Sequence, residues 1–145
     1  MEDQSREQQA QQALHEHCRA KASDARLRHG MLIDYPTMRK ILDDRTIVRY
    51  PCGLRFDATP LRKGEFACLE PLGEHPGAGF CLFVHPHFQD QPDLLPLLIA
   101  YYIPSINYGD VAGHIEAEIF GSTLLGLERE HYYETLCAAA DSLPG

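Results

Sequence analysis

Polar residues fill most of the first 29 positions of the chain, and the few apolar ones recur close to helical spacing. These apolar positions are Leu14, Cys18, Ala22 and Ala25. No proline or glycine interrupts the stretch before Gly30, which suits the residue that follows a helix. The pattern predicts a helix over residues 1–29 with a thin apolar stripe. We interpret it as a polar arm, either used in oligomerisation or partly disordered, ahead of a domain at 30–145.

A short second helix is predicted next, because Asp34 can cap its N-terminus and Pro36 is tolerated in a first turn. It should end near Asp44. Three apolar side chains of this helix should face the core: Met38, Ile41 and Leu42.

The middle of the chain changes to short runs of β-branched and aromatic residues, separated by turns that are rich in proline and glycine. Four runs are candidate strands, at residues 46–50, 54–57, 65–69 and 80–84. Their connections are too short for helical crossovers. The sequence therefore predicts a small antiparallel sheet of three or four strands.

The last third of the chain returns to helical spacing. Asp93 is predicted to cap a helix that runs through Tyr102 and is stopped by Pro104. The apolar run 97–103 also suits a buried strand, so helix and strand both remain open for it.

Two further helices complete the predicted order of elements. Asp110 should cap a helix over 111–127. The final helix should turn four side chains inward: Tyr133, Leu136, Cys137 and Ala140. The predicted fold class is α+β, with N-terminal helices, a small sheet and C-terminal helices packed on one face of that sheet.

Composition narrows the class of protein. The 145 residues are 44% hydrophobic and 23% charged, which are globular values and exclude disorder for the body of the chain. The formal charge of −8 and the pI near 5.4 make nucleic acid an unlikely partner, since phosphate binding needs clustered Lys and Arg. No apolar run approaches the ~20 residues of a membrane span, and the polar, acidic start of the chain is not a signal peptide.

The cysteines point to a thiol-reducing compartment. Their number is odd, their spacing is wide and no Cys-x-x-Cys pair occurs, which is typical of reduced core thiols. They are Cys18, Cys52, Cys68, Cys81 and Cys137. We therefore expect a soluble, acidic protein of the cytoplasm.

One group of residues has the chemistry of a metal site. His85 and His87 are two apart at the end of a predicted strand, so their side chains should leave the same face. His114 and Glu118 are four apart and share one face of a predicted helix. If strand and helix meet, three imidazoles and a carboxylate would suit Zn²⁺ or ferrous iron. The simpler interpretation is a polar strand end and a hydrogen-bonded pair at the margin of the core.

A second group of residues points to binding. Gly113, Ala117 and Gly121 form a strip of small side chains that lets another helix approach closely, either the predicted helix of the same chain at 94–102 or a second subunit. Three tyrosines nearby have the polar tips that are common in interfaces and ligand pockets. They are Tyr101, Tyr102 and Tyr108.

Two hypotheses of function follow. The first is a non-catalytic binding or accessory protein, a homodimer, whose protein or small-molecule ligand is unknown. The alternative is a metal-binding protein or metal-dependent enzyme that uses the His/His/His/Glu set. We prefer the first, because no convincing catalytic constellation occurs in the sequence.

Overall fold

The computed structural model describes the backbone of residues 2–144 and the side chains of residues 5–144. Met1 and Gly145, at the ends of the predicted arm and domain, lie outside the described residues. The elements are α1 (Glu2–His29), α2 (Tyr35–Leu42), β1 (Cys52–Phe56), β2 (Ala67–Pro71), β3 (Phe80–Val84), α3 (Leu95–Ala100), α4 (Ile103–Tyr108), α5 (His114–Leu125) and α6 (Arg129–Asp141). The predicted α+β class and the order of helices, sheet and helices are confirmed.

The sheet has three strands in the order β1-β3-β2. β2 and β3 are antiparallel, with Leu69 opposite Leu82, as predicted. β1 and β3 are parallel, with Leu54 also opposite Leu82, so the prediction of a wholly antiparallel sheet is wrong. The chain reverses direction once before β2 and again before β3. The first and third strands therefore run the same way, and β3 enters between the other two.

The predicted strand at 46–50 is a loop instead. Its side chains Ile47 and Val48 are buried, which explains the strand-like pattern of its residues. The buried amide of Asn107 holds the loop: its Nδ2 donates to the Ile47 carbonyl at 2.8 Å, and its Oδ1 accepts from the Arg49 N–H at 2.7 Å. A partner 58 residues away thus satisfies backbone groups that a neighbouring strand would otherwise pair.

Asp34 caps α2 as predicted, accepting from the Thr37 N–H at 2.9 Å.

The helix starts in the last third of the chain differ from the predicted ones. Asp93 caps nothing, because α3 begins at Leu95 without a side-chain cap. The segment 97–103 is not a strand: it comprises the last residues of α3, a turn at Tyr101 and Tyr102, and the first residue of α4. Pro104 does not end a helix but occupies the first turn of α4, where its missing N–H costs nothing.

Asp110 is also not a cap. It lies in a 3-10 turn, Gly109–Val111, and α5 begins three residues later than the predicted helix, with Gly113 at its N-cap. The side chain of Glu116 accepts from the Gly113 N–H at 3.0 Å and so takes the role that Asp110 was predicted to have.

The thin stripe of α1 is buried within the same chain. Cys18, Ala22 and Ala25 are fully buried, and polar contacts flank them: His15 reaches Glu116 of α5 at 3.2 Å and Arg26 reaches the Thr123 carbonyl at 3.3 Å. Small side chains let the two helix backbones approach closely, so α1 contributes to the core despite its few apolar residues. The predicted boundary between an arm and a domain at residue 30 stays a prediction.

The inward face of α6 is turned by about one residue from the predicted one. Leu136 is buried as predicted, but its buried companions are Tyr132 and Ala139. Tyr133 is half-exposed and Cys137 is exposed. Tyr132 fixes this rotation, because its fully buried ring packs against Gly121 and its hydroxyl donates to the Leu97 carbonyl at 2.6 Å.

Candidate binding pocket

The first two predicted metal ligands adjoin each other at the end of β3. His85 caps the 3-10 turn Pro86–Phe88, its Nδ1 accepting from the His87 N–H at 3.0 Å. The two rings are edge-on, with 6.3 Å between their centroids. The Nε2 of His87 lies 3.3 Å from the hydroxyl of Ser142. The Nδ1 of His85 therefore already accepts a hydrogen bond from the backbone, and the Nε2 of His87 contacts the hydroxyl of a serine.

The other two predicted ligands belong to α5. His114 is exposed at the first position of the helix, and the Oε1 of Glu118 accepts from the Arg129 Nε at 3.1 Å. Within the described residues, no group of three His, Cys, Asp or Glu side chains could hold a metal ion. The structure does not gather the four predicted ligands into a metal site.

His114 and Glu118 instead line a pocket of about 600 Å³ between β2, α5, α6 and the residues that join α3 to α4. We call it the aromatic pocket. Its walls hold four aromatic side chains, contributed by Phe66, Tyr101, Tyr102 and Tyr133. Four of the ten predicted site residues thus meet here, from two separate stretches of the sequence.

Three of the rings form a compact cluster. Phe66 lies 6.1 Å from both Tyr101 and Tyr102, and these two tyrosines lie 5.3 Å from each other, all in edge-to-face contact. The hydroxyl of Tyr102 donates to the Ala67 carbonyl at 2.7 Å, which anchors the cluster to the free edge of β2. Edge-to-face packing is a favoured arrangement of aromatic rings, so the three rings stabilise one another in the wall of the pocket.

The tyrosines of the cluster are neutral. Burial raises the pKa of Tyr101, and the nearby Glu118 carboxylate raises it further. Burial likewise raises the pKa of Tyr102, with a smaller effect from Tyr101. Their hydroxyls therefore remain protonated and polar at any physiological pH, as hydrogen-bonding groups and not as bases.

The charge of the aromatic pocket is negative. Among the described residues that line it, the charged ones are Glu65 and Glu118. Glu65 accepts from the Arg62 N–H at 2.6 Å, and Glu118 is only 7% exposed. The guanidinium that pairs with Glu118 belongs to Arg129, whose side chain is about half exposed to solvent. Water screens that partner more than it screens the carboxylate.

The predicted strip on α5 does not form a free surface. Gly121 is buried under Tyr132 of α6, and Ala117 is buried as well. Gly113 is exposed at the N-cap of α5. The helix that closes on Gly121 is α6 of the same chain, and not the predicted helix at 94–102.

Tyr108, the remaining predicted site residue, lies away from the aromatic pocket. Its hydroxyl hydrogen-bonds the Nδ1 of His17, and it lines a different pocket between α1 and the loop after α2. The charged and aromatic residues of the pocket that sequence reasoning missed as site residues are Glu65, Phe66 and Tyr133. Only Tyr133 had a signal, because it was predicted to face inward together with Cys137, and both line the pocket.

Fold and pocket together define an α+β protein with an acid-lined aromatic pocket. No protein-family model matches the chain, and comparison with curated proteins and with solved structures finds no significant similarity. Among the described helices, none has both the length and the apolar character that crossing a membrane requires.

Proposed function

We propose that this protein is a non-catalytic binding protein whose aromatic pocket holds a small organic cation. The observation that carries the proposal is the ring cluster of Phe66, Tyr101 and Tyr102 beside the nearly buried carboxylate of Glu118. Aromatic faces carry negative charge and attract ammonium and guanidinium groups. The two carboxylates of the lining, Glu65 and Glu118, add to that attraction, and Arg129 offsets part of the effect of Glu118.

The size of the pocket supports a small molecule. About 600 Å³ lies in the middle of the range of drug-sized sites, roughly 300–1,000 Å³. Leu136 and Ala140 of α6 line it beside the rings, so a ligand with an apolar body and a charged end fits its two kinds of wall. An alkyl or aryl amine, or its methylated form, has this composition.

The hydrogen bonds of the pocket support binding rather than catalysis. Tyr102 donates to a backbone carbonyl and Glu118 is paired with Arg129, so both groups have a structural role. A general base must lie within reach of the substrate and be free to change its protonation state. A group that is fixed in this way recognises a ligand better than it transfers protons.

The predictions of a homodimer, of a cytoplasmic location and of a partner other than nucleic acid remain predictions. Light scattering of the eluting protein during gel filtration would give the mass of the particle and decide between monomer and dimer.

The experiment that tests the pocket uses benzyltrimethylammonium as the cationic probe and benzoate as an anion of similar body, titrated by calorimetry. We expect saturable binding of the cation and none of the anion. Tyr101→Leu should weaken binding of the cation by about thirtyfold, since a desolvated cation–π contact contributes about 2 kcal/mol.

The matched control is Tyr35→Leu, because Tyr35 lies on α2 beneath Arg39 and outside the pocket. It should leave the affinity of the cation unchanged. Equal binding of benzoate, or an equal loss in the Tyr35→Leu variant, would rule out the proposal.

A further inference from the structure

A second pocket, of about 280 Å³, lies between α1, α4 and the loop that joins α2 to β1. The nitrogen-bearing basic side chains that line it are Lys21, Arg45, Arg49 and His17. We call it the basic pocket. Its other walls are Thr46, Ile47, Asn107 and Tyr108. In a chain with a formal charge of −8, an acid-free lining of this kind is a local reversal of charge.

The loop that carries the two arginines is held in one conformation from three sides. Asn107 binds the Ile47 carbonyl and the Arg49 N–H. Lys21 donates from its Nζ to the Thr46 carbonyl at 2.6 Å. Both the N–H and the hydroxyl of Thr46 donate to the Oδ1 of Asp44, at 3.0 and 2.6 Å. A site that is ordered before binding loses little entropy when the ligand arrives.

The basic side chains themselves are also positioned. Arg45 donates from one guanidinium nitrogen to the Leu42 carbonyl at 3.0 Å, and the guanidinium of Arg49 lies over the ring of Tyr50 at 5.3 Å. An arginine has five N–H donors and a lysine has three. Within the described part of the chain, these structural contacts use only a minority of them.

The carboxylate that contacts the loop of the pocket has cationic partners of its own. The Oδ2 of Asp44 pairs with His29 at 2.9 Å and with Arg28 at 3.4 Å. Residues 19–49 carry eight Lys and Arg against four Asp and Glu, a balance of +4. The segment that supplies Lys21, Arg45 and Arg49 to the pocket is therefore basic, although the whole molecule is acidic.

We propose that the basic pocket binds the phosphate group of a small phosphorylated molecule. A phosphate offers three terminal oxygens and up to two negative charges, which suits several converging cations better than the single charge of a carboxylate does. A volume of 280 Å³ admits the phosphate and a short substituent. The site is independent of the aromatic pocket, which attracts the opposite charge.

The experiment titrates inorganic phosphate, pyrophosphate and glycerol 3-phosphate into the full chain while the backbone amide resonances are followed by NMR. We expect saturable shifts at Ile47, Arg49 and Asn107. Arg49→Gln should weaken pyrophosphate binding about tenfold, because it removes a charge-assisted contact. Lys21→Gln is the second variant. It removes the charge of Lys21, while the amide of the glutamine keeps a donor for the Thr46 carbonyl.

The matched control is Arg62→Gln, which removes the same charge from an exposed position in the loop between β1 and β2. Tighter binding of glycerol 3-phosphate than of inorganic phosphate would support the proposal and identify an organic phosphate as the ligand. The reverse order would support it with the free ion as the ligand. No saturation by about 10 mM pyrophosphate, or an equal loss in Arg62→Gln, would overturn it.

Discussion

Gly121 lies directly under the ring of Tyr132, with no room between them for a side chain. A methyl group at this position would overlap the ring, and Tyr132 cannot retreat because it is fully buried and its hydroxyl binds the Leu97 carbonyl. The contact joins α5 to α6 within one chain. Close approach at this glycine therefore serves folding of the subunit.

We expect Gly121→Ala to lower the free energy of unfolding by about 1–3 kcal/mol, the usual cost of an overpacked core. Urea denaturation followed by circular dichroism measures the loss. Gly77→Ala is the control, because among the described residues a Cβ at Gly77 meets open space. A stability of Gly121→Ala equal to that of the control would show that Tyr132 moves easily.

Asp44 connects the end of α1 to the loop of the basic pocket. Burial acts to raise the pKa of Asp44, but hydrogen bonds from Thr46, His29 and Arg28 outweigh that effect and hold the pKa well below its usual range. Because the folded pKa is lowered, the charged carboxylate stabilises the fold above the unfolded pKa, about 4. That stability is lost as the pH falls from there towards the folded pKa.

We therefore expect Asp44→Asn to lower the free energy of unfolding at neutral pH, and the difference from the natural chain to shrink below about pH 4. Urea titrations at a series of pH values give both curves. Asp90→Asn, at an exposed position, is the control. A difference that stays constant into acid would mean that the ionised form of Asp44 has no special role.

At the scale of elements, α1 packs against α5 although most of its residues are polar. Ala22 is fully buried in it, whereas Ala20, two residues earlier, is exposed. Burial also raises the pKa of the Cys18 thiol to about 11, with a smaller effect from Glu116. Both observations place the middle of α1 inside the core.

We expect Ala22→Leu to lower the free energy of unfolding by about 1–3 kcal/mol, because the larger side chain forces the two helices apart. Ala20→Leu should change it little, since that side chain meets water. Urea denaturation of both variants decides the matter. Equal stability of the two variants would show that α1 is loosely attached.

Local signals in the sequence predicted several elements well. β3 has the predicted bounds, Phe80–Val84, because its apolar run is bordered by Gly79 on one side and by His85 and Pro86 on the other. α2 has its cap at Asp34 for a similar local reason. The order of the strands and the loop at 46–50 were not predictable, since each depends on partners far along the chain, such as Asn107.

The candidate sites show the same division at the scale of the whole molecule. The sequence predicted four residues of the aromatic pocket as site residues because of their chemistry: Tyr101, Tyr102, His114 and Glu118. The metal hypothesis, however, grouped His114 and Glu118 with histidines at the end of β3 that do not line this pocket. The basic pocket was missed because Lys21 and Arg49 are far apart in sequence. The chemistry of single residues could be predicted from the sequence, but their proximity in the fold could not.

The charge of the chain is uneven along its sequence. Residues 19–49 have a balance of +4, so the remainder has −12. In dilute salt, such a particle turns as it nears a charged surface and presents the end of opposite sign. At neutral pH an anion-exchange resin should therefore bind this acidic protein through its acidic segments, with the basic segment turned away from the resin.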